Sequence, residues 1–248
     1  MRTLIIADAH VGTRVGDAAA MVALVDRAVE AGCRRIVSLG DAFQYLIGMS
    51  KFWTSSVRSV LSAWDDARAA GVAVELIEGN RDFFLDVSDL ARHHDGAHRV
   101  LDVCQGGRRY RLVHGDKVNQ RDLQYLFWSR ASKSWPARVW AHLLPRRVAV
   151  HIVTSMEARL ATTNRKFRYE LPEEALRAWA DAAFADGADT VLWGHFHRLW
   201  QYRSDHGLGM VVPAWLETRV ALAIDEDGQW RFVDELLQPV AAEAIRHD

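Results

Sequence analysis

The sequence predicts an α/β fold built on mixed β-sheets. Two observations carry this. Short apolar runs alternate with amphipathic stretches in the first part of the chain, and several short strand-like runs follow one another after residue 198. A third observation, a basic and aromatic segment between them, marks an insertion.

Each element has its own signal. "RTLIIA" (2–7), "RRIVSL" (34–39), "VAVELIE" (72–78), "RYRLVH" (109–114) and "DTVLWG" (189–194) are short and rich in β-branched or aromatic residues, so they read as strands. Residues 17–31 form an amphipathic run that starts at Asp17 and stops before Gly32, which predicts a helix. Residues 53–70 predict another, with Trp53, Val57, Val60, Leu61 and Trp64 at helical spacing and Gly71 after the end. Residues 199–203, 208–213, 218–224 and 229–234 predict four further strands, with turns at "SDHG" and "DEDG". The β-α-β-α-β order followed by these strands predicts mixed rather than purely parallel sheets. A single domain over 1–248 is expected.

Bulk properties narrow the function. The chain has 248 residues, half of them hydrophobic, enough for one sizeable core. Its net charge of −1 argues against broad nucleic-acid contact. The two cysteines, Cys33 and Cys104, give neither a disulfide framework nor a thiolate zinc site. No apolar stretch approaches the roughly 20 residues that span a bilayer, and the N-terminus lacks a signal-peptide pattern. A cytoplasmic protein is the expectation.

Residues 121–168 stand apart. They hold ten Lys/Arg and two Asp/Glu, a charge of +8 against −9 for the remainder. Phe127, Trp128, Trp135, Trp140, Leu143 and Leu144 are interleaved with the cations. A helical cap inserted over about 117–170 is predicted.

Chemistry is written where the strands end. In open α/β sheets, ligands bind beyond the carboxyl ends of the strands. After "LIIA" come Asp8 and His10; after "IVSLG", Asp41; after "LIEG", Asn80, Arg81 and Asp82; after "RLV", His114; after "VLWG", His195 and His197. Each motif alone has a plain reading as a turn, a helix cap or a strand-end histidine. Together they form a set. Carboxylate and imidazole suit Zn, Mn or Fe. Two aspartates, one amide and four imidazoles exceed one ordinary site and suit two metals that share a bridging carboxylate. Two such metals generate a hydroxide near neutral pH and clamp a displacement at phosphorus.

The series D-x-H, GD, GN-R-D, H, GH-x-H, running from Asp8 to His197, resembles the calcineurin-like metallophosphoesterases. "GNRDFFL", "LVHGD" and "GHFHR" are similar to a bacterial branch of that family, the pyrophosphatases acting on UDP-2,3-diacylglucosamine in lipid A synthesis. The resemblance implies a four-layer αββα sandwich with a dimetal site at the sheet ends. It implies that Asp8, His10, Asp41 and His197 hold one metal, that Asp41 bridges, and that Asn80, His114 and His195 complete the second. Mn²⁺ is the metal implied. The substrate implied is a lipid-linked nucleotide; the alternative is another nucleotide or phosphate ester. A non-catalytic scaffold should have lost ligands, and all seven are present. Two departures bear on the substrate: Gln44 stands where that branch favours Glu, and "KVNQRD" replaces its usual run after "HGD".

Arg81 adds an argument from chemistry. Guanidinium binds phosphate bidentately and stays charged, but does not donate a proton at useful pH. It suits a leaving group that needs no protonation, such as a phosphate leaving a pyrophosphate. The plain alternative pairs Arg81 with Asp82 or Asp86. Arg81, Asn80 and His195 are therefore the candidate catalytic residues. In the cap, Asp122, Asn164, Lys166 and Arg168 are expected to face the substrate's polar head. Trp128, Trp135, Trp140, Leu143 and Leu144 are expected to offer apolar surface to its tail or to the inner-membrane surface. Oligomeric state is not legible.

Overall fold

The computed structural model describes residues 1–118, 131–149, 155 and 171–245. The five strand-like runs fold as strands β1 (Thr3–Ile6), β2 (Arg35–Ser38), β4 (Ala73–Ile77), β8 (Arg108–Val113) and β9 (Thr190–Trp193). Helices α1 (Asp17–Glu30) and α2 (Ser55–Ala69) occupy the predicted positions. Asp17 does not cap α1; that position is Gly16, and the Asp17 carboxylate accepts from the Arg14 N–H and pairs with Arg219. Trp53 lies outside α2, which starts after Thr54, whose hydroxyl oxygen accepts from the Val57 N–H. This is the usual device for an orphan donor in a first turn.

The late strands are β10 (Trp200–Ser204), β11 (Gly207–Val211), β12 (Ala221–Ile224) and β13 (Trp230–Val233). Residues 215–218, between β11 and β12, form a helical turn rather than extended chain. The sequence reading missed β7 (Val100–Gln105), the hairpin partner of β8, and short strands β6 (Gly96–His98) and β14 (Pro239–Val240). It also missed the helix Glu173–Ala185.

Two mixed sheets result. The first has the order β14-β13-β12-β1-β2-β4-β6, with β1, β2, β4 and β6 parallel and β12 antiparallel to β1. The second has the order β10-β11-β9-β8-β7, with β8, β9 and β11 parallel and antiparallel strands at both edges.

The two-residue period of a strand explains the layers. Leu4 and Ile6 point from β1 toward Met21, Leu24, Val57 and Trp64 of the two helices. Ile5 and Ala7 point the other way, into a core shared with Tyr110, Leu112, Leu192 and Met210 of the second sheet. On that sheet's outer face, Val191, Trp193 and Val211 pack against Leu176, Ala180 and Phe184 of the helix Glu173–Ala185. Helices, sheet, sheet and helix form a four-layer αββα sandwich. Parallel strands buried on both faces explain why β1 and β9 read as unbroken apolar runs.

Of the predicted insertion, the described residues contain the helix Trp135–Leu143. Ser134 caps it and Pro136 occupies its first turn. It rests on an apolar cluster of Met49, Phe52, Val87, Ala141 and Ala149. Leu144 packs against that cluster, so it is not open apolar surface, whereas Trp135, Trp140 and Leu143 are exposed. Trp128, Asp122, Asn164, Lys166 and Arg168 lie outside the described residues. No described helix is long and apolar enough to cross a membrane.

Candidate metal centre

The seven ligand-type residues come together at the carboxyl ends of the strands. Asp8 and His10 follow β1, Asp41 follows β2, Asn80 follows β4, His114 follows β8, and His195 and His197 follow β9. Nε2 of His10 lies 3.2 Å from Nε2 of His197. Asp8 Oδ1 lies 3.6 Å from His197 Nε2 and 4.0 Å from His10 Nε2. The two Asp41 oxygens diverge: Oδ2 is 3.8 Å from His10 Nε2 and Oδ1 is 3.7 Å from His114 Nε2. Asn80 Oδ1 sits 3.2 Å from His114 Nε2 and 3.0 Å from His195 Nδ1.

The backbone is bent to achieve this. Among the described residues, eight non-glycine residues have positive φ, and five are Asp8, His10, Asp41, His195 and His197. The left-handed region disfavours side chains, and such conformations persist where the surroundings over-determine them. Here those surroundings are neighbouring loops. The His10 N–H donates to the Asp41 carbonyl and the Val11 N–H to the Ala42 carbonyl. The loops after β2 and β4 are joined by a small parallel pair, β3 (Leu46–Ile47) with β5 (Asp82–Phe83). Asp82 is a brace rather than a ligand: its Oδ2 accepts from the Asp41 and Gly79 N–H groups. Two glycines permit close approach. A β-carbon at Gly79 would lie 2.2 Å from Asp41 Oδ1, and one at Gly40 would lie 2.2 Å from His114 Nδ1.

The electrostatics call for positive charge. Burial alone would lower His114, but the Asp41 and Asp8 carboxylates outweigh it and push the imidazole up to about 9. Burial and the neighbouring His114 push His195 down to about 3. Burial holds Asp8 above the ordinary carboxylate range. Asp8 Oδ1 is buried with no hydrogen-bond partner. An orphaned carboxylate oxygen facing two imidazole nitrogens is the donor set of a divalent cation. Asp8, His10 and His197 form one cluster able to hold an ion, and Asp8, Asp41 and His114 form another. The residues fit divalent metal.

Arg81 is buried beside this cluster. Its N–H donates to Asp41 Oδ1 at 2.8 Å, and its guanidinium donates to Gln44 Oε1 at 2.7 Å and stands 3.8 Å from Asp41 Oδ2. The Thr13 hydroxyl donates to the same Gln44 oxygen. The alternative pairings are not found: Asp82 braces backbone, and Asp86 pairs with Arg138. Sequence reading missed Glu217, whose Oε1 lies 3.1 Å from Nδ1 of His197, and named Gln44 only as a departure without seeing it as the seat of Arg81. The pairings have no sequence signal, because the partners lie far along the chain.

A double sheet with carboxylates, imidazoles and an amide clustered at its strand ends defines a metal-dependent hydrolase. The chain belongs to the calcineurin-like phosphoesterase family, whose model matches residues 1–199. Its relatives are more particular. A UDP-2,3-diacylglucosamine hydrolase of Stenotrophomonas maltophilia is 29% identical over 92% of this chain and 96% of its own length. One from Azotobacter vinelandii is 31% identical over 80% of this chain and 82% of its own length. Among solved structures, the hypothetical protein PH1004 from Pyrococcus horikoshii shares the fold, with a TM-score of 0.51 over 94% of this chain and 86% of that one at 10% identity.

Proposed function

We propose that this hydrolase uses two divalent metals to cleave the pyrophosphate of a lipid-linked nucleotide sugar of the UDP-2,3-diacylglucosamine type. The products are a nucleoside monophosphate and a lipid sugar phosphate. The observation that carries the chemistry is the convergence of seven ligand-type residues, five of them buried, from five strand ends. The substrate class rests on the relatives named above.

Asp8, His10, Asp41 and His197 would hold one ion, and Asn80, His114 and His195, with Asp41 shared, the other. The divergent oxygens of Asp41 suit the shared position. Mn²⁺ is the metal we assign, with Fe or Zn compatible with the donors. When bound, such ions supply a hydroxide nucleophile near neutral pH and neutralise charge on phosphate oxygens.

The chain's own residues do the rest. Burial and His114 keep His195 neutral, so one ring nitrogen has a lone pair to offer a metal. Arg81 holds a permanent charge beside the cluster and would bind phosphate without giving up a proton. Attack at the phosphorus nearer the nucleoside breaks its bond to the bridging oxygen, which departs on the lipid sugar phosphate and needs no general acid. The basic residues of the insertion, including Lys166 and Arg168 with Asp122 and Asn164, would meet the polar head. Trp140 and Leu143 would meet the acyl chains, and the same exposed face would touch the inner-membrane surface.

A hydrolysis screen with Mn²⁺ tests this. UDP-diacylglucosamine should be cleaved far faster than non-acylated nucleotide sugars or aryl phosphates. Equal turnover of acylated and non-acylated substrates would defeat the lipid assignment and leave a general nucleotide or phosphate-ester hydrolase.

A further inference from the structure

The two halves of the metal centre differ in what stands behind their histidines. Nδ1 of His114 donates to a neutral backbone carbonyl, that of Leu39, at 2.9 Å. Nδ1 of His195 faces a neutral amide, the Asn80 oxygen. Nδ1 of His197 instead faces a carboxylate, Glu217, with both side chains largely buried. This contact is firmly held. Glu217 lies on the turn Trp215–Thr218, which is fastened to the end of β1. The Trp215 N–H donates to the Ala7 carbonyl at 2.8 Å and the Leu216 N–H to the Asp8 carbonyl at 3.3 Å. The Arg14 guanidinium donates to the Leu216 carbonyl from the other side.

We propose that Glu217 is a positioning residue that makes the two metal positions unequal, so that the His10/His197 position fills first and more tightly. The inference rests on the two-metal reading above. A carboxylate accepting from Nδ1–H fixes the tautomer, turns the Nε2 lone pair toward the ion and makes that nitrogen more basic. It also adds negative charge where Asp8 and Asp41 already supply two carboxylates. The other position draws on Asn80, His114 and His195, which bind as neutral donors; Asp41 is shared and Asp8 lies within reach of both groups, so Glu217 is a carboxylate that favours the His197 side. Coulomb attraction and donor strength therefore act in the same direction.

The test is a Mn²⁺ titration of the metal-free full-length chain, read by calorimetry and by the spin-resonance signal of free Mn²⁺. Wild type should bind two ions in two steps separated by about tenfold or more. Glu217→Gln keeps an oxygen opposite His197 but removes the charge. It should weaken the tighter step by about 10–100-fold, the usual cost of losing such a partner. The weaker step should stay within about twofold, and thermal unfolding in chelator should match wild type. Two wild-type steps of equal affinity overturn the inference alone, whether or not the variant folds. So does a variant that weakens both steps alike or neither. A single bound ion overturns both this inference and the two-metal reading.

Discussion

The strand-end cluster and the helix Trp135–Leu143 are built on opposite plans. At the cluster, Asp8, His10, Asp41, His114 and His197 are buried, most of the seven residues are held in costly backbone conformations, and hydrogen bonds from several loops brace them. The helix is fastened at its rim by a few long cations. Lys133 reaches the Glu78 carboxylate and the Gly79 carbonyl, Arg138 reaches Asp86, and Lys51 reaches the His142 and Leu144 carbonyls. Its large apolar side chains Trp135, Trp140 and Leu143 face outward. On the proposed function, the difference separates two jobs. A reaction centre must not move, and the sheet ends supply rigidity. A surface that selects substrates can vary without disturbing the chemistry, and an insertion supplies that freedom.

The sharpest way to break this division is at Asp41. Asp41→Ala should reduce activity to background and lower Mn²⁺ content, because it removes the carboxylate standing between the two groups of ligands. Retention of both bound metals by this variant would show that Asp41 is not shared. Next comes Arg81→Ala, which should lower kcat by about 10²–10³, the scale for losing one preorganised charge stabiliser. Metal content, read by elemental analysis, should stay at the wild-type level. A variant with near-normal turnover, or one stripped of metal, would move Arg81 out of phosphate stabilisation.

The insertion should answer differently. Trp140→Ala or Leu143→Ala should weaken acylated substrates by about 1.5–3 kcal/mol for a side chain buried against the tail. Non-acylated nucleotides should be unaffected. If both substrate types weaken together, the helix serves the reaction centre and the two-job division collapses.

The smallest effect lies away from both regions. Asp102 on β7 is held at about 2 by hydrogen bonds from Arg111 and Arg109. Its folded-state value is below the ordinary carboxylate value, so its contribution is complete above about pH 4 and disappears as pH falls toward 2. Asp102→Asn should flatten the stability profile in that window and leave metal binding and turnover unchanged. An unaltered acid slope would show the Asp102 pairs to be worth nothing.

What the sequence reveals follows the range of the interactions. Strands β1, β2 and β9 are legible because burial on both faces writes apolar runs, and β4 and β8 because alternate residues are buried. The seven donors are legible because strand ends mark positions that topology must bring together. The helix Glu173–Ala185 escapes notice because half of its buried face is alanine, with Leu176 and Phe184 the large anchors. Strand β7 escapes because it is an edge, with Val100, Asp102 and Cys104 exposed on one face. Glu217 cannot be read at all, and Gln44 is legible as a departure from the family pattern but not as the partner of Arg81. The contacts with His197 and Arg81 span 20 and 37 positions, and only the tertiary fold sets that distance.

The pairing of β3 with β5 has an evolutionary consequence. Leu46 is registered against Asp82 and Ile47 against Phe83, so the loops bearing Asp41 and Asn80 share one ruler. An extra residue in either would slip that register and turn the following side chains to the opposite face. Insertions and deletions are therefore barred there. The described helix Trp135–Leu143 is tied to the loops of the site by side chains instead, through Lys133 and Lys51, and a change of length beside it would not slip that strand register.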